Sequence, residues 1–303
     1  MLAIQFDRFG GPEVLTPVDI PAPVPGPGEV LITVEAAGVN LADTFQTDGT
    51  YLDAAQLPHI PGTEVVGRTP DGQRVLAKVT HGYAEQVVCP HTAITPIPEQ
   101  LPAPQALALL TQGLTAWHLL RTAARIRPGE TVVVHSAAGG VGNLAVQLAK
   151  HFGAGHVLAQ ASTPAKEHLA LQLGADDIAR YPLTQPADII LDAAGGTLFD
   201  HALQSLNNFG RLITYGNASR TPHTPIDPTH LTRLNAAVIG FWLRPTLTQP
   251  HHYTHPLQQL LHLTHHHQLH PHTTTQYPLT HAHHAHTHLR QRLTTGKITL
   301  HPH

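Results

Sequence analysis

Short apolar runs separated by glycine, proline and aspartate dominate the first hundred residues. The runs lie at residues 30–36, 64–68, 74–79 and 83–88. Such runs, broken by turn-forming residues, predict short strands in a compact β-rich unit. The proline-rich segment 20–28 cannot donate a ladder of backbone hydrogen bonds, so it is predicted to be a connection.

The pattern changes near residue 104. Apolar residues recur at helical spacing over 104–125, and the run at 131–135 has the composition of a buried strand. Strand and helix patterns then alternate, with predicted helices at 141–152, 166–173 and 198–206 and predicted strands at 156–161, 187–191, 210–215 and 236–241. This alternation indicates a parallel sheet covered by helices on both faces.

The last 58 residues do not continue the alternation. Helical patterns at 256–268 and 280–293 stand beside an extended stretch at 270–276 and a final strand at 297–300. The chain is therefore predicted to be an α/β protein whose β-rich domain is discontinuous. Its predicted segments are 1–113 for that domain, 114–245 for the doubly wound domain and 246–303 for the return.

The composition argues against several classes of function. Charged residues make up 12% of the chain, about half the usual share. The formal charge of -3 does not favour binding to nucleic acid or to an anionic membrane. The single cysteine, Cys89, can form neither an internal disulfide nor a cysteine-based zinc site. Without a secretory signal or a long apolar run, we expect a cytoplasmic protein that uses no membrane.

The pattern over 132–150 predicts a strand, a tight turn and a helix. The spacing Ala137-x-Gly139-x-x-Gly142 matches the dinucleotide-binding fingerprint, with alanine at the first glycine position. Glycine at the second position lets backbone approach a pyrophosphate, and the N–H groups of the helix start bind its oxygens. The alternative is a tight turn without a ligand.

The end of the second predicted strand selects the cofactor. An NAD site usually places Asp or Glu about 20 residues past the glycines, but residues 159–166 contain no carboxylate. Ser162 can donate to a 2′-phosphate and Lys166 can place an ammonium beside it, which favours NADPH over NADH. Alternatively, Ser162 caps the next helix and Lys166 is a solvated surface residue.

Several motifs occur in one order over nearly the whole chain. They are AAGVNLAD at 36–43, IPGTE at 60–64, GYAE at 82–85, QGLTA at 112–116, LGAD at 173–176, DAAGG at 192–196 and TGK at 295–297. Together with the glycine turn they resemble the medium-chain dehydrogenase/reductase superfamily, specifically its zinc-free quinone oxidoreductase branch. The resemblance implies a GroES-like substrate domain, a Rossmann domain, NADPH, and hydride transfer to a quinone or to the β-carbon of an α,β-unsaturated carbonyl.

The resemblance also implies site residues. Those expected to line the cofactor are Asn40, Thr115, Gly139, Gly140, Val141, Ser162, Lys166, Tyr181, Gly216 and Phe241. Asn40 and Thr115 would lie near the nicotinamide, although a turn residue and a helix-start threonine explain them nearly as well, and Tyr181 could be a packing aromatic. Zinc-dependent relatives have Cys and His where this chain has Asn40 and Thr63, so zinc chemistry is not expected.

Reduction of an enone needs a proton for the developing enolate. Tyr51, Asp43 and Thr63 are the acid or hydroxyl groups that the motifs bring toward the substrate, and they are the candidate catalytic residues. Asp43 could instead stabilise its own turn. Water could supply the proton in an open site, and a quinone needs no dedicated acid.

Sixteen of the 27 histidines lie between His251 and the C-terminus. The pairs His262 with His266 and His284 with His288 are four residues apart, a spacing that a surface metal ion could use. No cysteine or nearby carboxylate completes a closed site, so we expect exposed histidines and no dedicated metal.

Two alternatives for function and one for assembly remain. The same architecture suits an enoyl-thioester reductase or tailoring enzyme of a biosynthetic pathway, and it suits an NADPH-binding protein without turnover. The apolar run 236–241 reads as a strand late in the sheet. Pairing of that edge with a second copy would give a homodimer, as the resemblance implies.

Overall fold

The chain leaves its first structural unit after Thr111 and returns to it at Pro271, with Gln112–His270 forming the second unit. The computed structural model describes residues 1–302. In this range the strands are β1 Leu2–Gln5, β2 Thr16–Asp19, β3 Glu29–Val39, β4 Glu64–Arg68, β5 Arg74–Lys78, β6 Gln86–Pro90, β7 Ile94–Pro96, β8 Thr131–Val134, β9 His156–Ala159, β10 Asp177–Ile178, β11 Ala187–Asp192, β12 Leu206–Thr214, β13 Ala237–Gly240, β14 Thr273–Pro278 and β15 Lys297–His301.

The helices are similarly distributed over both units. The α-helices are α1 Leu41–Thr47, α2 Ala103–Ala108, α3 Leu114–His118, α4 Gly140–His151, α5 Pro164–Gln172, α6 Thr197–Gln204, α7 Pro228–Leu234, α8 Leu243–Thr246, α9 Pro250–His265 and α10 Ala282–Arg290. Short 3₁₀ turns lie at Pro12–Val14, His91–Ala93 and Leu279–His281. None of the described helices is long and apolar enough to cross a lipid bilayer.

The first unit is built on a seven-stranded sheet in the order β14-β15-β3-β4-β5-β7, with β6 also pairing to β3. The eleven-residue strand β3 organises it, because its first half pairs with β6 and its second half with β15. Val30, Ile32 and Val34 alternate along β3 and are all buried, the period expected of a strand with one face in a core.

The second unit contains a six-stranded, all-parallel sheet in the order β10-β9-β8-β11-β12-β13. Numbered within this unit, that order is 3-2-1-4-5-6, the order of dinucleotide-binding domains. The side chains of 132–134 and 189–191 are fully buried, because helices cover both faces of a parallel sheet and every apolar residue in such a strand is enclosed. The predicted doubly wound sheet is confirmed.

The return to the first unit occurs later than the predicted residue 246. Helix α9 belongs to the second unit, where it packs against α3. A hydrogen bond reinforces this packing, since the His118 Nε2 atom lies 2.8 Å from the carbonyl oxygen of His252. The helical pattern of α9 indicates an apolar face and does not reveal which unit that face packs against.

The long helix predicted for 104–125 is interrupted. α2 and α3 are joined and followed by π-helical turns at Leu109–Gly113 and Leu119–Ala123. Such turns are rare in proteins, and those that do occur often lie near functional sites. The first of them carries the chain from one unit into the other.

Gly67 in β4 tests the packing of the first unit. A Cβ atom there would lie closer than 3.0 Å to the carbonyl oxygen of Thr33 on β3. We expect Gly67→Ala to lower the free energy of unfolding by about 2–3 kcal/mol, measured by urea denaturation, since strand backbones cannot separate without losing their ladder. Gly240→Ala is the matched control, because no heavy atom lies within 4 Å of its Cβ position. Equal losses in both variants would contradict this packing.

Candidate functional site

The turn between β8 and α4 is shaped by glycines. A Cβ atom on Gly142 would lie closer than 3.0 Å to the carbonyl oxygen of Ser136, and one on Gly140 would collide with the Gln112 side chain. Ser136 adopts a left-handed backbone with φ 52°, which reverses the chain immediately after the strand. The absence of side chains therefore lets α4 start directly against the end of β8 and leaves its first backbone groups accessible.

The start of α4 is suited to an anion. The first N–H groups of a helix have no intrahelical partner, and the helix dipole adds positive potential. No acidic residue lies in the first turn of α4, whereas Lys150 and His151 lie in its last turn. The Asn143 side chain donates to the carbonyl oxygens of Gly139 and Gly140 at 2.8 and 2.6 Å. These bonds fix the turn, and Gly139, Gly140 and Val141 thus fit a dinucleotide pyrophosphate.

The turn between β9 and α5 holds the candidates for a 2′-phosphate. Ser162 is exposed in this turn. Thr163, and not Ser162, is the N-cap of α5, because its side chain accepts the N–H of Lys166 at 3.3 Å. The capping alternative for Ser162 is therefore wrong. The nearby Glu167 carboxylate forms an ion pair with Arg180, whose Nη2 atom donates to it at 2.8 Å.

Tyr181 belongs to a hydrogen-bonded chain that ends in a buried carboxylate. Its hydroxyl lies 2.6 Å from Nε2 of His135, and Nδ1 of His135 lies 2.9 Å from Oδ1 of Asp192. The His135 and Asp192 side chains have no exposed surface. Burial raises the pKa of Tyr181, so its hydroxyl stays protonated. Tyr181 is therefore not only a packing aromatic, because its hydroxyl takes part in this hydrogen-bonded chain.

Gly216 and Phe241 follow β12 and β13, at the carboxyl edge of the sheet where ligands bind in this architecture. A Cβ atom on Gly216 would lie 3.1 Å from the carbonyl oxygen of Ala193, so two loops approach closely here. The Phe241 ring stacks on His118 with centroids 6.4 Å apart. Thr115 is buried in the first turn of α3, which follows the π-helical turn Leu109–Gly113 without a break.

In the first unit, Asn40 is held by a buried ion pair. Its Nδ2 donates to Glu64 Oε1 at 2.9 Å, and its Oδ1 accepts from Lys297 Nζ at 3.1 Å. Lys297 and Glu64 contact each other directly with no exposed side-chain surface. The second Glu64 oxygen accepts the N–H of Thr111 at 2.9 Å. An ammonium already touches the Asn40 amide, so these residues do not fit a zinc ion, which would be repelled there.

Asp43 is a structural residue and not an accessible acid. It is fully buried, and its Oδ2 accepts the N–H of Asn40 at 2.8 Å, which completes the capping box of α1. The same oxygen accepts the Tyr83 hydroxyl at 2.8 Å, and that hydroxyl lies 3.1 Å from His286 Nε2. These contacts replace the predicted catalytic role with the turn-stabilising one.

Tyr51 and Thr63 keep partly exposed surfaces in the first unit. The backbone N–H of Tyr51 donates to the Phe45 carbonyl at 3.1 Å, which anchors the loop after α1. The Thr63 carbonyl accepts the N–H of Val79 at 3.0 Å. Both side chains are therefore partly accessible and lie on anchored backbone.

Sequence reasoning did not pick out two buried polar pairs, His135 with Asp192 and Glu64 with Lys297. Glu64, Asp192 and Lys297 occur in the motifs, and His135 is a polar residue directly after an otherwise apolar strand. A polar residue in such a place is the available signal, because burial requires a partner.

The histidine pairs are not joined by a third potential metal ligand among the described residues. Among residues 1–302, no three histidine, cysteine, aspartate or glutamate side chains are grouped so that they could hold a metal ion. The rings of His262 and His266 do approach, with centroids 4.3 Å apart. His288, however, hydrogen-bonds Tyr277 through Nδ1 at 2.7 Å.

Comparison with known proteins agrees with this geometry. Residues 26–99 match the alcohol dehydrogenase GroES-like domain, and residues 152–300 match a domain described as a zinc-binding dehydrogenase. A probable quinone oxidoreductase of Schizosaccharomyces pombe is 35% identical over 81% of this chain and 79% of its own length. The quinone oxidoreductase of Pseudomonas aeruginosa is 32% identical over 99% of both chains. The chain belongs to the quinone oxidoreductases of the medium-chain dehydrogenase/reductase superfamily.

Solved structures of quinone oxidoreductases have the same fold. The enzyme of Thermus thermophilus, described together with its NADPH complex, has a TM-score of 0.91 and 38% identity over 99% of this chain and 100% of its own. The Escherichia coli enzyme, complexed with NADPH, has a TM-score of 0.92 and 27% identity over 100% of both chains. The resemblance drawn from the sequence motifs is confirmed, including the GroES-like domain.

Asp43 and His286 belong to one buried cluster with Tyr83. We expect them to have opposite effects on how the free energy of unfolding depends on pH. Burial raises the pKa of Asp43 to about 6, so its contribution to stability is present below the unfolded value of 3.8 and is lost as pH rises through 6. Burial lowers the pKa of His286 to about 3, so its contribution is present above 6.5 and is lost as pH falls toward 3.

Relative to the parent, Asp43→Asn should therefore gain about 1.4 kcal/mol of unfolding free energy per pH unit between pH 4 and 6. His286→Gln should lose about as much per unit over the same interval. Urea denaturation at several pH values measures both slopes, and His284→Gln, an exposed substitution on the same helix, should show neither. Parallel slopes for the first two variants would rule out this assignment.

Proposed function

We propose that this quinone oxidoreductase family member binds NADPH and transfers a hydride from it to a quinone, or to the β-carbon of an α,β-unsaturated carbonyl. The observation that carries the proposal is the turn between β8 and α4, where glycines open the start of a twelve-residue helix. The NADPH complexes of similar quinone oxidoreductases support it.

Recognition of the phosphorylated cofactor falls to the turn after β9. Ser162 is exposed there, Lys166 lies in the first turn of α5, and the neighbouring Glu167 is neutralised by Arg180. A hydroxyl and an ammonium without a competing carboxylate suit a phosphate dianion. The other residues proposed to contact the cofactor are Asn40, Thr115, Gly139, Gly140, Val141, Tyr181, Gly216 and Phe241.

The acceptor side is proposed for the first unit. NADPH supplies the hydride when bound, and Tyr51 supplies the proton that an enolate oxygen would need, with Thr63 as a second hydroxyl near the same substrate. The loop that follows Tyr51 exposes Leu52 by 75% and Leu57 by 38%. Exposed apolar side chains beside a phenol favour a flat, largely apolar acceptor such as a quinone.

No zinc takes part in the proposed reaction. The Lys297 ammonium and the Glu64 carboxylate already occupy the polar atoms of Asn40, the position where zinc-dependent relatives have cysteine. We further propose a cytoplasmic homodimer. β13 ends the six-stranded sheet and pairs with β12 alone, so a second copy of the same edge could continue the sheet.

NADPH oxidation tests the function directly. Protein mixed with NADPH and a panel of quinones and enones should consume NADPH, followed by its absorbance. Lys166→Gln should raise the KM for NADPH about tenfold while changing that for NADH little, because one charge-assisted hydrogen bond to the phosphate is lost.

Lys150→Gln is the matched control and should leave both KM values unchanged. Lys150 lies in the last turn of α4, at the end opposite the glycine turn, and pairs with Asp176. Reduction of carrier-bound acyl thioesters alone would favour the enoyl-thioester alternative. Tight NADPH binding without reduction of any acceptor would refute the enzymatic proposal.

A further inference from the structure

A cavity of about 600 Å³ lies at the amino edge of the six-stranded sheet. Glu130, which directly precedes β8, lines it together with Asp188 near the start of β11 and with Asn208 and Phe209 near the start of β12. Because the strands of this sheet are parallel, their amino ends meet at the edge opposite the glycine turn. The cavity is therefore separate from the site proposed for the cofactor, and its volume is in the range of small-molecule sites.

The acidic side chains of the cavity already have partners. The two Glu130 oxygens accept from the two terminal nitrogens of Arg211 at 2.9 and 2.8 Å. Asp188 accepts the backbone N–H of Thr131 and an amide hydrogen of Asn207, each at 2.9 Å. The ion pair of Glu130 with Arg211 is neutral as a unit, and the Asp188 carboxylate is held by donors of its own.

Two further guanidinium groups in the lining, those of Arg125 and Arg127, are exposed. Among residues 1–302, no hydrogen bond or ion pair joins either guanidinium to another group. The lining holds three arginines against two acids, which leaves a surplus of one positive charge. Since a guanidinium offers parallel N–H groups to a carboxylate, the unpaired arginines suit a small organic anion of single charge.

Phe209 supplies an aromatic surface in the same cavity. It is 70% exposed, and its backbone has φ 61°, a left-handed conformation that is unfavourable for a residue with a bulky side chain. Both features oppose folding, and the ring gains little burial in return. Arg125 also has a left-handed backbone, with φ 52°. Two large residues in a conformation that favours glycine therefore line one cavity, a feature typical of binding sites.

We propose that this cavity is a second ligand site, which takes a small aromatic carboxylate. The carboxylate accepts from Arg125 and Arg127, and the flat ring of the ligand stacks on Phe209. A monoanion balances the surplus charge of the lining, whereas a phosphate dianion exceeds it. This site does not depend on the proposed hydride transfer, because none of its residues belongs to the proposed cofactor or acceptor set.

The site is compatible with the proposed homodimer. The cavity meets β13 through Ile239. Side chains project from the faces of a sheet, whereas pairing with a second copy uses the backbone at the edge of β13. Ligand binding and continuation of the sheet therefore use different groups of the same strand.

Titration calorimetry with 2-naphthoate tests the site. The parent should bind 2-naphthoate with the same Kd in the absence and presence of saturating NADPH, because the two sites lie at opposite edges of the sheet. The uncharged 2-naphthamide and the ringless acetate should each bind about tenfold more weakly, since each lacks one of the two recognised groups.

Variants locate the bound probe. Arg125→Gln and Arg127→Gln should each raise the Kd for 2-naphthoate about tenfold, because a charge-assisted hydrogen bond is lost. Arg233→Gln is the matched control and should leave the Kd unchanged, since Arg233 is an exposed arginine of α7 outside the cavity lining.

Phe209→Gly separates a ligand contact from a structural role. It should raise the Kd for 2-naphthoate about fivefold, because the stacking surface is removed. Its urea midpoint of unfolding should stay at or above that of the parent, since glycine adopts a positive φ without strain.

Four results would overturn the proposal. They are no binding of 2-naphthoate by the parent, equal binding of acetate, competition between 2-naphthoate and NADPH, and a Kd that Arg125→Gln, Arg127→Gln and Phe209→Gly all leave unchanged. Equal binding of acetate would show only general attraction of anions, and competition would assign the probe to the cofactor site.

Discussion

The absence of a side chain at Gly142 is the constraint on which the second unit depends. Any Cβ atom there would overlap the carbonyl oxygen of Ser136, so α4 could not start against the end of β8. That contact directs the helix dipole and its unpaired N–H groups toward the carboxyl edge of the sheet. The edge also carries His135 and Tyr181, so the same contact sets which side chains lie near the proposed phosphate site.

The first unit solves a different problem, the burial of charge. Glu64 and Lys297 lie 233 residues apart in sequence and meet with no exposed surface. Removal of one partner would leave an uncompensated charge, which costs far more than the pair itself contributes. The pair uses both polar ends of the Asn40 amide, which fixes that side chain in place of the metal ligand of zinc-dependent relatives.

Sequence reasoning correctly predicted the elements whose burial produces a recognisable pattern of residues along the chain. The apolar runs 132–134 in β8 and 189–191 in β11 are fully buried, because both faces of a parallel sheet are covered, and the glycine spacing marks the turn after β8. It failed where the decisive contact is distant in sequence. α1 buries Asp43, Thr44 and Thr47, a polar set that gives no amphipathic pattern, and the partner of α9 cannot be deduced from its own periodicity.

Backbone N–H groups at the start of α4 are proposed to hold the pyrophosphate of NADPH. Amide hydrogen exchange with and without NADPH tests this proposal most directly, because it reports on those groups themselves. Saturating NADPH is expected to slow exchange over residues 137–143, with a further effect over 162–166. Tight NADPH binding that leaves exchange over 137–143 unchanged would contradict it.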